Sequence, residues 1–284
     1  MTEVKFSIIT ISYNAGSDIT DTIESVLNQD YDNIEYIIVD GNSTDNTTKI
    51  IESYIPVLRE KGITVKYSSE PDSGISDAFN KGIKKATGDI VGLINAGDGL
   101  MPGALKYIAE HWQDTDQIIY GKTVAVDKKN NLKYLRYIPD NLDLSRMVYN
   151  GLGFTHQSAF VKRDVYEKFG LYDVTYKLVM DSDLFMHFYY DENVNFRYID
   201  CNVVFMLCGG ISTKISLPLI KEQIRISEKY CGYSKLRIIV KHLLDIPGNF
   251  LKNILKRNKR VWKYVVGERR ILKDSDRKGD VHDS

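Results

Sequence analysis

The sequence predicts an α/β protein with a mostly parallel central sheet, helices on both of its faces, and a helical appendage at the C-terminus. Three observations carry this. Apolar, β-branched runs alternate with amphipathic helical stripes over the first hundred residues. Each run closes on polar residues: Thr10 to Asn14, Asp40 to Asp45, Glu70 to Asp72 and Asn95 to Asp98. After Pro218 the chain turns mostly helical and basic. Strands separated by helices of about 10–15 residues pair in parallel through right-handed crossovers. Open sheets of this kind take ligands outside the carboxyl ends of their strands.

The elements follow in order. Val4 to Ser12 reads as a strand, and Ser17 or Asp18 can cap a helix carrying Ile19, Ile23, Val26 and Leu27 on one face. Ile34 to Val39 is a second strand, after which Ser43 or Thr44 is expected to cap a helix that Pro56 kinks or ends and Gly62 stops. A short third strand spans Val65 to Ser68. Ile75, Ala78, Phe79, Gly82, Ile83 and Ala86 then form a helical stripe, and Ile90 to Ile94 is a fourth strand. Lys122 to Val126 and Leu132 to Tyr137 read as a hairpin. Two further strands are expected near Asn195 to Ile199 and Val203 to Leu207.

Composition excludes several classes. With 284 residues, 43% hydrophobic and 27% charged, the chain is neither disordered nor fibrous and needs no disulfides to fold. Three cysteines without a C-x-x-C spacing argue against a zinc site or disulfide framework and suit a reducing compartment. No uninterrupted apolar run reaches the ~18 residues of a membrane span, and no signal peptide is read. The formal charge is zero, 38 basic against 38 acidic residues, which disfavours a nucleic-acid partner. That balance conceals a polarised chain: Lys235 to Lys273 holds twelve basic and two acidic residues. Interleaved with these are Leu236, Ile239, Val240, Leu243, Leu244, Phe250, Leu251, Ile254, Leu255 and Trp262, in two amphipathic stretches broken at Pro247 and Gly248. Such helices either pack on the rest of the protein or lie on an anionic membrane surface; the cations and Trp262 favour the membrane.

The expected organisation is an α/β unit over 1–215, divided into an alternating strand–helix half (1–100) and a mixed half (101–215). An amphipathic basic extension (216–273) and a disordered tail (274–284) complete the chain.

Several residues stand where chemistry is expected. Asp40 ends the second strand just ahead of a helix whose free N–H groups suit an anion, so it is read as a ligand contact. Ser43, Thr44 and Asp45 are read first as helix caps. Asp72 ends the third strand; Asp77 is a first-turn acid favoured by the helix dipole. Asn95 and Asp98 flank a turn after the fourth strand, where a lone carboxylate can hold Mg²⁺ or Mn²⁺ if ligand phosphates fill the other positions. Asp181 and Asp183 bracket Ser182 at a helix start, leaving one carboxylate beyond the needs of capping free to act as a base. His156 precedes an apolar strand, where a solitary histidine is more often structural. Gly209 to Thr213 reads as a turn or a flexible phosphate flap.

Taken together in their order, SIITISYN (Ser7 to Asn14), VDGNSTDNT, EPDSGISDAFNKGI, LINAGD, HQSAF (His156 to Phe160), MDSDL (Met180 to Leu184) and GGIST resemble the family 2 inverting glycosyltransferases of bacterial surface-polysaccharide synthesis. The resemblance spans about Val4 to Thr213 and implies the GT-A nucleotide-diphospho-sugar transferase fold. It implies that Thr10 and Tyr13 line a nucleobase site with Tyr13 stacking, that Asp40 reads the base edge, and that Asp72 borders the same pocket. Asn95 would contribute to nucleotide binding, and Asp98 would bind a divalent metal, Mn²⁺ or Mg²⁺, that bridges the donor diphosphate. Asp181 would be the general base. His156, Gln157, Asp183, Gly210 and Ser212 would lie near the diphosphate or acceptor.

The implied donor is a nucleotide-sugar, a UDP-sugar by family habit. The implied acceptor is a saccharide linked to polyprenyl diphosphate, met by a peripheral enzyme at the cytoplasmic face of the membrane. One departure stands out: the family commonly shows two or three acids where this chain has Asn95, Gly97 and Asp98. Two other classes stay open, a sugar-phosphate nucleotidylyltransferase and a non-catalytic nucleotide-sugar-binding protein at the membrane. The first would need a Gly-rich basic loop after strand one, and Ser12 to Ser17 offers one glycine and no lysine or arginine. A dinucleotide oxidoreductase is disfavoured because no G-x-G-x-x-G follows that strand.

Overall fold

The structure, a computed structural model, describes residues 4–128, 132–135, 152–192, 194–208, 216–231, 236 and 238–240. The N-terminal half alternates as expected: β1 (Phe6–Ser12), α1 (Ile19–Leu27), β2 (Ile34–Asp40), α2 (Thr47–Glu60), β3 (Thr64–Ser69), α3 (Ile75–Lys85) and β4 (Ile90–Asn95). There follow β5 (Gly99–Leu100), α4 (Ala104–His111), β6 (Ile118–Asp127), β7 (Leu132–Leu135) and β8 (Ala159–Lys162). Helices α5 (Arg163–Phe169) and α6 (Met180–Tyr190), strand β9 (Phe196–Leu207) and α7 (Leu217–Ile226) complete the order.

One sheet runs β3-β2-β1-β4-β8-β6-β9-β5, with β7 added as a hairpin partner of β6. The first four strands are parallel, β8 is antiparallel to both neighbours, and β6 pairs in parallel with β9. Strands β1, β2, β3, β4, β6 and β9 therefore point their carboxyl ends to one edge.

Each central strand is buried on both faces and divides its side chains between two cores. Ile9, Ile11, Ile37 and Val39 pack with α3, α5, α6 and α7, while Phe6, Ile8, Tyr36 and Ile38 pack with α1, α2 and α4. A methyl group on Gly82 would meet Ile9 Cγ2 at 2.4 Å, so α3 lies directly on β1 because that position has no side chain.

Three sequence expectations are corrected. The strands expected at 195–199 and 203–207 are one twelve-residue strand, β9. Its register against β6 slips between Tyr120 and Thr123, and the absorbed irregularity removes the need for a break. Pro56 neither ends nor stops α2, which runs to Glu60. The carbonyl deprived of a partner belongs to exposed Glu52, where water can serve it. Ser43 and Thr44 do not cap α2, which starts at Thr47; Asp45 Oδ1 instead accepts the Thr47 amide (3.0 Å).

Away from the polar edge, Glu35 is a buried carboxylate, 1% exposed. It accepts from Ser7 Oγ (2.7 Å), Thr87 N (2.8 Å) and Thr87 Oγ1 (2.8 Å), and pairs with Lys66 Nζ. Burial alone would raise its pKa, but the hydrogen bonds from Lys66, Thr87 and Ser7 outweigh it and hold the group at about 2. An unfolded Glu titrates near ~4.3. The depressed folded value therefore contributes stability that is complete above that pH and is lost as pH falls toward 2. Replacing Glu35 by Gln is expected to cost about 1–3 kcal/mol at pH 7, since the amide leaves at least one of the buried donors from Ser7 and Thr87 without an acceptor. In thermal melts from pH 7 to pH 2.5, the gap between wild type and Glu35→Gln should narrow only below about pH 4.3.

Candidate active site

The loops leaving β1 and β2 brace each other. Asn14 and Asn42 both adopt left-handed backbone (φ 47° and 64°), a conformation asparagine tolerates better than most residues. Asn14 Oδ1 accepts from Thr44 N (2.8 Å), and Asn14 N donates to Ser43 Oγ (2.8 Å). Beneath them lies Asp40, fully buried. Its carboxylate accepts from Ser12 Oγ (2.9 Å), Ser43 N (2.8 Å), Ser43 Oγ (2.5 Å) and Ser69 Oγ (2.7 Å). Asp40 thus fastens the ends of β1, β2 and β3 from behind.

Beside it lies Gly41, itself buried. A methyl group there would meet Asp72 Oδ2 at 2.6 Å and Tyr13 Cδ2 at 3.3 Å, so Tyr13, Gly41 and Asp72 converge on one spot. Tyr13 is 66% exposed, a flat aromatic surface open to a partner. Asp72 Oδ1 is held by Gly74 N (2.8 Å), which leaves Oδ2 toward Gly41. Thr10, by contrast, has no exposed surface and its Oγ1 accepts from buried Tyr36 (3.0 Å). Thr10 lies inside β1, which is covered by helices on both faces, whereas Tyr13 follows the strand's end.

The second group of residues gathers at the ends of β4 and β9. Asp98, 6% exposed, accepts from Leu207 N (3.0 Å) at Oδ1 and from Gln157 Nε2 (2.7 Å) and Asn95 Nδ2 (3.4 Å) at Oδ2. Burial raises its pKa despite these donors and the nearby His156. The turn before it is clamped to α1: Gly97 N donates to Thr22 Oγ1 (2.8 Å), which donates to Asp98 O (2.6 Å). Gly97 has φ +95°, and a side chain there would press on Leu207 Cδ1 at 3.1 Å. An acid at 97 would be strained in this turn, which accounts for the thin acidic motif.

His156, on a 3-10 turn (His156–Ser158) leading into β8, links this carboxylate to another. Its Nε2 lies 3.5 Å from Asn95 Nδ2, its Nδ1 3.7 Å from Asp181 Oδ2, and its ring packs edge-on to Phe79. Nε2 thus faces the Asn95 amide and Nδ1 faces the Asp181 carboxylate. Asp181 opens α6; its Oδ1 accepts from Ser182 N (2.8 Å), leaving Oδ2 toward His156. Asp183, two residues on, is 4% exposed and points the other way, to Lys229 Nζ (3.1 Å) and Tyr230 OH (3.3 Å). It ties α6 to the π-helical turn (Ser227–Cys231) after α7 instead of joining the site.

The fold therefore brings Tyr13, Asp72, Asn95, Asp98, His156, Gln157 and Asp181 to one edge, sets Thr10 and Asp40 behind it, and turns Asp183 away. Gly210 and Ser212 lie outside the described residues. Sequence reasoning missed Thr22; a lone polar residue within the apolar stripe Ile19, Ile23, Val26 was the available signal.

No group of three or more His, Cys, Asp or Glu side chains spaced to hold a metal ion occurs among the described residues. The side chains still suit a divalent cation in one respect. Asp98 is a buried carboxylate with no lysine or arginine ion pair among the described residues, and it stands beside an amide and an imidazole, both usable ligands. A cation here would need further oxygen ligands from a bound diphosphate.

A sheet with this order and a polar carboxyl edge carrying two linked carboxylates defines a nucleotide-sugar-transferase type of fold. Comparison with known proteins makes the class specific: residues 7–170 match the model of glycosyl transferase family 2, and the chain belongs to that family. It is a glycosyltransferase. A PGL/p-HBAD biosynthesis glycosyltransferase of Mycobacterium bovis is 26% identical over 216 residues, 74% of this chain and 80% of the relative. Among solved structures, S. aureus TarS 1–349 in complex with UDP aligns with TM-score 0.60 at 21% identity, covering 82% of this chain and 68% of that one. The mannosyltransferase PcManGT of Pyrobaculum calidifontis, in complex with GDP-Man and Mn²⁺, aligns with TM-score 0.56 at 17% identity over 87% of this chain and 75% of that one. These likenesses are of fold, GT-A in type.

Replacing Asp40 by Asn would turn an amide toward hydroxyl and backbone donors and strand at least one of them. A loss of about 1–3 kcal/mol in unfolding free energy is expected, measured by denaturant titration.

Proposed function

We propose that the protein transfers a sugar from a nucleoside-diphosphate donor, a UDP-sugar, to a saccharide hydroxyl on a lipid-linked acceptor, with inversion at the anomeric carbon. The observation that carries this is the line of contacts Asp98–Gln157/Asn95–His156–Asp181, set beside the Tyr13–Gly41–Asp72 convergence. Tyr13 stacks on the base, and Asp72 accepts from its edge. Thr10 and Asp40 act from behind, Asp40 by holding the strand ends that present Tyr13 and Gly41. Solved neighbours bound to UDP and to GDP-Man support a nucleotide-sugar donor, and the neighbour bound to Mn²⁺ supports a divalent metal.

Asp98, with Asn95 and His156, would hold Mn²⁺ or Mg²⁺ together with the donor's phosphate oxygens. When bound, the cation neutralises charge on the departing diphosphate. Asp181 Oδ2 takes the proton of the acceptor hydroxyl as that oxygen bonds to the anomeric carbon and the bond to the diphosphate breaks. His156 Nδ1 orients Asp181, and Gln157 orients Asp98. One displacement suffices, with no covalent enzyme intermediate.

The catalytic unit is proposed to span 1–215, with α7 at the start of the 216–273 extension packed into its core; the basic remainder of that extension, from Lys235, is proposed to serve as a peripheral anchor on an anionic, cytoplasmic membrane surface. Leu217 (75%), Leu236 (69%), Ile239 (41%) and Val240 (42%) are exposed apolar side chains in this part of the chain, among the lysines and arginines of the sequence. No helix among the described residues is long and apolar enough to cross a membrane.

A panel of nucleotide-sugars with Mg²⁺ or Mn²⁺, read as nucleoside diphosphate released with and without a lipid-linked acceptor, tests the reaction; release of pyrophosphate from a triphosphate instead would refute it. Asp181→Asn is expected to lower turnover about 10²–10⁴-fold with donor affinity unchanged, and normal turnover would remove Asp181 from its role. Tyr13→Ala should weaken nucleotide binding by about 1–3 kcal/mol, by calorimetry, without lowering Tm. Truncation after Ser234 should move the protein from the membrane to the soluble fraction of a cell lysate.

A further inference from the structure

The segment that delivers Asp181 is not held by the catalytic half of the chain alone. Helix α6 has no side-chain cap of its own: its N-cap position is Val179. The first N–H groups of a helix and those just before it need acceptors from elsewhere. The amides of the N-cap residue Val179 and of the two residues before it find them in α7. Glu222 Oε1 accepts from Lys177 N (2.9 Å), and Oε2 accepts from Leu178 N (2.9 Å) and Val179 N (3.1 Å). One carboxylate collects three consecutive backbone donors, as an anion does in a backbone nest. All three precede Asp181 by two to four residues.

Neighbouring contacts repeat the connection. Arg225 donates to Thr175 Oγ1 (2.7 Å) and Asp173 Oδ2 (3.1 Å) and stacks over Tyr176 at 4.1 Å. On the opposite flank, Ser76 Oγ of α3 donates to Tyr176 O (3.2 Å), and Lys177 Nζ donates to Ser73 O (2.6 Å). Residues 173–179 are thus gripped between α3, which follows the Asp72 loop, and α7. Both α6 and α7 lie beyond residues 7–170, the part matched by the family model.

We infer that Glu222 is a positioning residue for the transfer step: by capping residues 177–179 it fixes the start of α6 and so sets the direction of the Asp181 carboxylate toward the acceptor hydroxyl. This rests on the reading of Asp181 as the general base. The electrostatic sense is consistent. A carboxylate at a helix start is favoured by the dipole. Asp181 keeps one local bond, from Ser182 N to Oδ1, and turns Oδ2 toward His156 and the site. Glutamine at 222 has nearly the same shape but offers one acceptor oxygen, so it must turn an N–H₂ group toward at least one amide donor. The start of α6 would shift, and displacements of about 1 Å can cost about 10²-fold in rate.

The test uses the full-length protein in four forms: wild type, Glu222→Gln, Asp181→Asn and the double variant. For each, kcat, donor KM, nucleoside diphosphate Kd and Tm are measured. Glu222→Gln is expected to lower kcat about 10–100-fold while donor KM and Kd stay within about 2-fold. The double variant should be no slower than Asp181→Asn alone, because both changes act through one carboxylate. A kcat for Glu222→Gln within about 2-fold of wild type, with Asp181→Asn inactive, overturns the inference and leaves the base intact. Losses in Kd and Tm that parallel the loss in kcat, or full additivity in the double variant, overturn it as well by reducing Glu222 to a structural residue. Full turnover by Asp181→Asn refutes the base reading itself. Should Glu222→Gln fail to fold, Arg225→Ala loosens the same segment without touching the three amides. It is then expected to lower kcat less than 10-fold with Kd unchanged, and an unchanged kcat would overturn the inference.

Discussion

A carboxylate without solvent contact, at the end of the second strand, is the tie on which the polar edge depends. In a parallel sheet, neighbouring strands finish side by side and release loops that have no reason to stay together. Asp40 supplies that reason by accepting from Ser12 at the end of β1, Ser69 at the end of β3, and both the amide and hydroxyl of Ser43 in its own loop. Four donors on one buried charge compensate its desolvation. Only because those strand ends are fastened can Tyr13 stand largely exposed and still have a fixed neighbour in Gly41. The same device recurs inside the sheet, where Glu35 joins Ser7, Thr87 and Lys66. Asp40 and Glu35 thus both serve as buried fasteners between segments distant in sequence.

Much of this was legible in the sequence because its signals are local. The 3-1-3-1-3 stripe from Ile75 to Ala86 reports a helix whatever surrounds it, and the β-branched runs of β1, β2 and β4 report strands buried on both faces. The polar strand ends indicated the ligand edge for the same reason. What stayed hidden depends on tertiary geometry. Thr10 and Tyr13 are three residues apart, yet Thr10 lies within β1, which is buried on both faces, while Tyr13 lies just past its end. Asp40 looked like a ligand contact because nothing local says that two serines from other strands will enclose it. Asp183 looked equivalent to Asp181; helical geometry turns it toward Lys229 and Tyr230 instead. Glu222 gives no sequence signal at all, being one acid on a mixed helix surface.

Gly97 shows a sequence departure with a physical origin. The backbone there sits at φ +95°, where an aspartate would be strained, and the space is bounded by Leu207 and Asp18. The turn has been built around Thr22, which bonds both to Gly97 N and to Asp98 O. That clamp leaves Asp98 as the single acid of the turn, held by Leu207 N and Gln157 from two other elements. Precision in holding one carboxylate takes the place of several carboxylates loosely grouped.

The cap on residues 177–179 comes from a helix synthesised more than forty residues later. A ribosome that has made the sheet as far as β9 has therefore not yet provided the acceptor for those amides. The last acceptor for this segment therefore becomes available only after every strand of the sheet has been made. A nascent or prematurely terminated chain that stops before residue 216 holds every side chain of the site but lacks the group that fixes the start of α6.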